Sequence, residues 1–225
     1  MDEQRADARD MFVVHAMFRR EFGLMPGLVR AVTAGDTTRA AMVADHVALM
    51  TEGLEAHHQG EDDHIWPHLR ERCPGECGSL VDIMEEQHHA IHDAFRPVRE
   101  TAGRWRQTAP ADARDALAEA IGPLLALTHE HLALEEERVV PLIEKHLTQA
   151  EYAPAAQAAS AALPPDKLLI GFGMTIYRAD PEAVAMIVSH VPPEAQPTIK
   201  DQAAKAYAAY AESLYGTATP PLNEG

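Results

Sequence analysis

His57-His58-Gln59-Gly60-Glu61 and, further along, His131-Leu132-Ala133-Leu134-Glu135 decide how this chain folds. Each histidine is followed by a glutamate at the fourth position and a proline at the tenth, giving His57/Glu61/Pro67 and His131/Glu135/Pro141. Residues four apart lie one turn along the same helix face, so each pair aims an imidazole and a carboxylate at one point. His88-x-x-x-His92 is a third such pair, and His15, set among Phe12, Phe18 and Phe22, supplies a histidine from a fourth segment. A lone histidine on an apolar face is usually a satisfied core residue, and His15 alone would be read that way. Three further helices carrying a ligand pair each are better explained by metal, because buried charge is costly unless it coordinates a cation or a partner.

Turn signals at Ala34-Gly35-Asp36, Cys73-Pro74-Gly75 and Thr108-Ala109-Pro110 divide residues 1–147 into four long helical segments with short connections. Short connections force antiparallel neighbours, so the expectation is an all-α fold, an up-down-up-down four-helix bundle of helices roughly 50 Å long. In such a bundle the segments carrying His57/Glu61 and His131/Glu135 run the same way. The repeat then places both carboxylates across one central point, as two bridged metals require. Thr148-Gln149-Ala150-Glu151 has the capping-box pattern and Asp180-Pro181 offers an N-cap followed by proline. Residues 148–225 are therefore expected to form a C-terminal helical extension, divided at the proline pairs 164–165 and 192–193. It should dock on the bundle or form a homodimer interface, with a frayed tail after 216.

Composition agrees with this and excludes several classes. A 46% hydrophobic content supports a core, aromatics are only 5%, and the formal charge of −16 would repel a nucleic-acid backbone. The longest apolar run, Leu168 to Tyr177, is too short to cross a bilayer, and the charged start MDEQRADARD does not resemble a secretory signal. A cytoplasmic protein without membrane or nucleic-acid partners is the expectation. Cys73 and Cys77 flank a Pro-Gly turn and read as a reduced loop pair.

His15, HHQGE at 57–61, QHHAIH at 87–92 and HLALEEE at 131–137 together resemble the hemerythrin-like family of HHE cation-binding domains, over roughly residues 8–147. The resemblance implies a non-haem centre of two iron ions with an oxo or hydroxo bridge. Its terminal ligands would be His15, His57, His88, His92 and His131, and its bridging acids Glu61 and one acid of the last bundle helix. Animal oxygen carriers of the family place that acid five residues after the histidine, which selects Glu136, whereas helical spacing and the internal repeat favour Glu135. Imidazole and carboxylate also suit zinc or manganese. Five imidazoles, two bridging carboxylates and the oxygen bridge leave two six-coordinate ions one position short, room for dioxygen, nitric oxide or peroxide.

Phe12, Phe18, Leu54, Ile91, Phe95, Leu127 and Leu134 lie one or two turns from these ligands and are expected to line the opening. No tyrosine precedes Tyr152, so the bundle is expected to lack a phenol that could act as ligand or radical. A rival pattern exists in Glu55-x-x-His58 and Glu85-x-x-His88, the ExxH motif of ferritin-like proteins, with Glu21 and Glu135 as lone acids. It would leave His15, His57, His92 and His131 unexplained. His46 is about 16 Å along its helix from His57, too far to share a site. His64 and His68 read as a polar helix end, His58, His89 and His129 as pointing away from the ligands, and His146 and His190 as surface residues. Three functions fit the expected centre: reversible binding or sensing of a small ligand, consumption of peroxide or nitric oxide, or metal holding without redox turnover.

Overall fold

The structure, a computed structural model, describes residues 4–161 and 163–222, with backbone alone for 159–161. Ten α-helices occur among the described residues: α1 (Arg9–Arg30), α2 (Thr37–His64), α3 (Trp66–Arg72), α4 (Pro74–Thr108), α5 (Ala111–Leu134), α6 (Val140–His146), α7 (Gln149–Ala161), α8 (Leu168–Ile176), α9 (Pro181–Ser189) and α10 (Gln196–Tyr215). A π-helical turn, Glu135–Val139, joins α5 to α6. The nearest approach to a sheet among the described residues is an isolated bridge between Arg5 and Thr148, which ties the N-terminal segment to the start of the extension.

Local chemistry sets the boundaries. Asp36 caps α2 by accepting from the Arg39 N–H at 2.9 Å. Pro74 opens α4, and Ala109, in the left-handed region at φ 48°, closes it. Thr148 and Glu151 form the expected box, with Glu151 Oε2 accepting from the Thr148 backbone N–H at 2.9 Å and its hydroxyl at 2.7 Å. The Asp180 side chain caps α9.

Two segments expected to be continuous are interrupted. α2 ends at His64 and restarts as α3 with Pro67 in the first turn; the last bundle helix passes through the π turn before α6, with Pro141 in its first turn. Proline has no N–H to continue a helical ladder, so both breaks fall where the His–Glu–Pro repeat puts its proline. Cys73 and Cys77 also differ from expectation: they form a disulfide. Cys73 caps α4 and Cys77 sits in its first turn, a placement that brings their Cα atoms to 5.3 Å, within bridging range.

Helices α1, α2, α4 and α5 close a ring, α1 on α2 and α5, and α4 on the same two. Two apolar clusters fill it. One contains Phe18, Phe22, Leu54, Phe95, Trp105 and Leu124; the other contains Met11, Ile65, Trp66, Met84, Val139 and Tyr152. Along α1 and α4 the chain leaves the second cluster and enters the first, while α2 and the last bundle helix meet them in reverse order. Between the clusters lies a layer of buried polar side chains.

The extension packs on this frame. α7 lies on α2 at Gly60, where a Cβ would stand 2.9 Å from the Ala155 carbonyl oxygen. α8 lies on α1 and α10, and a Cβ at Gly173 would collide with the Ala203 carbonyl oxygen. Glu21, fully buried on α1, accepts from Arg20 Nε and the Tyr207 hydroxyl through Oε1 and from the Tyr215 hydroxyl through Oε2, at 2.8, 2.8 and 2.5 Å. His46 Nδ1 meets the Tyr210 hydroxyl at 2.9 Å. α10 ends at Gly216 with φ 75°, and the Tyr177 hydroxyl donates to the Pro220 carbonyl at 3.0 Å. That bond ties the segment after 216 to α8 at Pro220, and 223–225 lie outside the described residues.

Candidate metal centre

The polar layer gathers His15 from α1, His57, His58 and Glu61 from α2, His88 from α4, His131 from α5 and Glu135 from the first position of the π turn, all buried. They fall into two overlapping groups, His15/His57/Glu61/Glu135 and His58/Glu61/His88/His131. Within each, one potential ligand atom per residue lies within 4.8 Å of all the others. Glu61 belongs to both: Oε1 is 3.0 Å from His57 Nε2 and Oε2 is 3.3 Å from His88 Nε2. Glu135 also faces both, with Oε2 at 3.4 Å from His15 Nε2 and 3.5 Å from His131 Nε2.

Three of the imidazoles are held from outside. His15 Nδ1 is 3.1 Å from Glu136 Oε1, and Arg19 grips both oxygens of that carboxylate at 2.7 and 3.0 Å. His88 Nδ1 is 2.8 Å from Asp62 Oδ1, which also accepts from the Trp66 indole N–H at 2.8 Å. His131 Nδ1 is 3.1 Å from Gln87 Oε1. A ring whose Nδ1 donates outward presents the Nε2 lone pair inward, the orientation found around metal ligands.

The inner atoms lack partners. Nε2 of His58, His88 and His131 and all four carboxylate oxygens of Glu61 and Glu135 are buried and make no hydrogen bond among the described residues. Each buried polar atom left unpaired costs about 1–3 kcal/mol, which a bound cation would offset. The donor set therefore fits a metal on the evidence of its own unsatisfied atoms.

Without a cation the two carboxylates titrate apart. Burial pushes Glu61 up, yet His57, His88 and His131 outweigh it and leave the group at about 2. Glu135 is held well above its ordinary range by burial and then by the charge of Glu61. Burial drives His57 down to about 4 and His58 and His131 well below their usual value. His88 is the exception: burial opposes its charge, but Asp62 and Glu61 raise it to about 9.

Of the side chains singled out in the sequence, His15, His57, Glu61, His88, His131 and Glu135 are brought together and His92 is not. Its side chain is 64% exposed and Nε2 pairs with Glu55 at 2.9 Å. The physical reason is the stripe of α4: Met84, His88, Ile91, Phe95 and Val98 face inward at three- and four-residue steps, which leaves position 92 outside. His58 stands in the layer instead, its ring stacked on that of His88 at 4.0 Å. The stripe was readable in the sequence; the four-residue rule alone passed over it.

Glu135 rather than Glu136 enters the layer. The Glu135 N–H still bonds to the His131 carbonyl, so α-helical spacing persists to that point and the widening begins after it. Phe12 is 44% exposed and does not line the layer, whereas Phe18, Leu54, Ile91 and Phe95 are buried and Leu127 and Leu134 partly so. The glutamates of the ferritin-like alternative are engaged elsewhere, Glu55 with His92 and Arg99, Glu85 with Arg70, and Glu21 with Arg20 and two tyrosines. The expected absence of a phenol also fails. Tyr152 enters from α7, donates to Asp10 Oδ1 at 2.6 Å, and is pushed well above its ordinary pKa by burial first, with the charges of Asp10, Glu61 and Glu135 adding to it.

No helix among the described residues is long and apolar enough to cross a membrane. Searches of curated proteins and of solved structures returned no match. A family model does match, that of the hemerythrin HHE cation binding domain, over residues 8–143. That span exceeds half of the chain and contains every side chain of the polar layer, and the chain belongs to the hemerythrin HHE cation-binding domain family.

Proposed function

We propose that this protein holds two iron ions through His15, His57, His58, His88 and His131, with Glu61 and Glu135 shared between the ions, in an up-down-up-down bundle. The observation that carries the reading is the set of buried Glu61, Glu135, His58, His88 and His131 atoms without hydrogen-bond partners. Iron held by these residues would supply a redox-active centre able to take dioxygen, nitric oxide or peroxide. Phe18, Leu54, Ile91 and Phe95 exclude water on one side, and Met84, Trp66 and Val139 on the other. Asp62, Gln87 and Glu136 fix ring orientation from outside.

Elemental analysis after expression with ample iron should give close to two metals per chain, and Glu61→Ala should lose at least one of them. One metal or none in the parent protein would overturn the reading. A second reading, consumption of peroxide or nitric oxide, is favoured by Trp66, an oxidisable ring linked through Asp62 to His88. Oxygen evolution from added peroxide separates it from simple binding.

A further inference from the structure

On the outer side of α1 a cavity of about 260 Å³ opens between that helix, the end of α8 and the C-terminal segment, lined among others by Met17, Arg19, Arg20, Tyr177, Arg178 and Leu222. Three guanidinium groups in one small cavity stand out in a chain with a formal charge of −16. Arg20, only 4% exposed, is committed to Glu21 through Nε and Nη2, to the Met174 carbonyl through Nη2 and to the face of Tyr207, so it adds charge to the cavity rather than free donors. Arg19 spends one N–H of each terminal nitrogen on Glu136, and a guanidinium carries five. Arg178 has no acidic partner among the described residues, and it sits at φ 55°, left-handed backbone that a glycine would occupy without strain. Tyr177 gives the cavity an aromatic wall, with Arg20 and Arg178 at 5.1 and 5.5 Å from its ring centre.

We propose that this cavity binds a small organic carboxylate whose charged end takes the unspent N–H groups of Arg178 and Arg19, beside the fixed charge of Arg20, and whose apolar body lies against Met17, Tyr177 and Leu222. The volume suits a ligand of roughly ten non-hydrogen atoms and lies just below the usual range of small-molecule pockets. An occupant would share Arg19 with Glu136, and through Glu136 it would touch the orientation of His15.

Titration calorimetry on the protein as purified tests the site with benzoate, with its neutral isostere benzamide, and with inorganic phosphate. Benzoate should bind saturably at one site per chain, and benzamide about tenfold or more weakly, since a charge-assisted contact is lost. Phosphate, lacking the apolar body, should bind more weakly than benzoate. Arg178→Gly should weaken benzoate by about tenfold while leaving the melting temperature unchanged or raised, because glycine relieves the backbone. Absence of saturable benzoate binding in the millimolar range, equal binding of benzamide, or phosphate binding as tightly as benzoate would each overturn the assignment. So would benzoate affinity indifferent to Arg178→Gly, the result expected if the carboxylate went to the metal centre instead.

Discussion

His58 and His92 pose the sharpest comparison at the scale of single residues. One is buried against His88 and His131 with an unpaired Nε2; the other faces solvent beside Glu55. His58→Ala should reduce metal content measurably, whereas His92→Ala should leave content and spectrum as in the parent, both read by elemental analysis and absorption. His88 carries a second expectation. Its folded pKa of about 9 lies above the ordinary 6.5, so in metal-free protein its contribution to stability is complete below 6.5 and is lost as pH rises through about 9. Glu135, also raised, acts in the same direction from its ordinary 4.5 upward. Thermal melts of chelator-stripped protein should therefore decline between pH 6.5 and 9, and His88→Gln should flatten that decline. Six of the seven converging side chains were legible in the sequence, because four-residue spacing and the internal repeat report on one helix face at a time. His58 was not, since adjacent positions point about 100° apart and only the gap between helices decides that both reach inward.

Among the elements, the π turn after α5 is a feature that no residue pattern in the sequence requires. Its five residues, Glu135–Val139, follow an α-helical His131–Glu135 step and shift the register of what comes next, so that Val139, Val140 and Ile143 are buried. π turns cluster at functional sites, and here one lets a run of three glutamates place the first inside, the second against His15 and Arg19, and the third in solvent. Glu135→Ala should abolish at least one metal. Glu136→Ala, which removes only an outer hold on the His15 ring, should retain both ions with affinity weakened by about 10–100-fold, measurable by competition with a chelator. Equal loss in the two variants would mean that Glu136 reaches a metal directly. The helix boundaries at 36, 74 and 110 were readable from caps and prolines. The breaks at Pro67 and Pro141 were visible only as part of a repeat, because a proline in the first turn of a helix and one inside it look alike in sequence; α1, α4, α5 and α7 each carry one in their interior.

For the molecule as a whole, the extension is where sequence reasoning stopped at a list of helices. Caps and proline pairs predict that α7 to α10 exist, but they say nothing of Glu21, whose burial becomes tolerable because Tyr207 and Tyr215 arrive from the far end of the chain. Contacts so distant in sequence leave no local periodicity to read. The same long-range packing fixes the two tryptophans of the chain in unlike settings. Trp66 is 5.9 Å from the His88 ring and bonded to Asp62, while Trp105 is buried in the other cluster, seventeen residues or about 26 Å along α4 from His88. The protein thus carries its own fluorescent gauge. A transition metal at His88 should quench the emission of Trp66 far more than that of Trp105, so Trp105→Phe should leave a single emitter that dims as metal is loaded. Trp66→Phe should leave one whose brightness hardly changes, and titrating metal into the two single-tryptophan proteins would read occupancy without touching any side chain proposed to hold it.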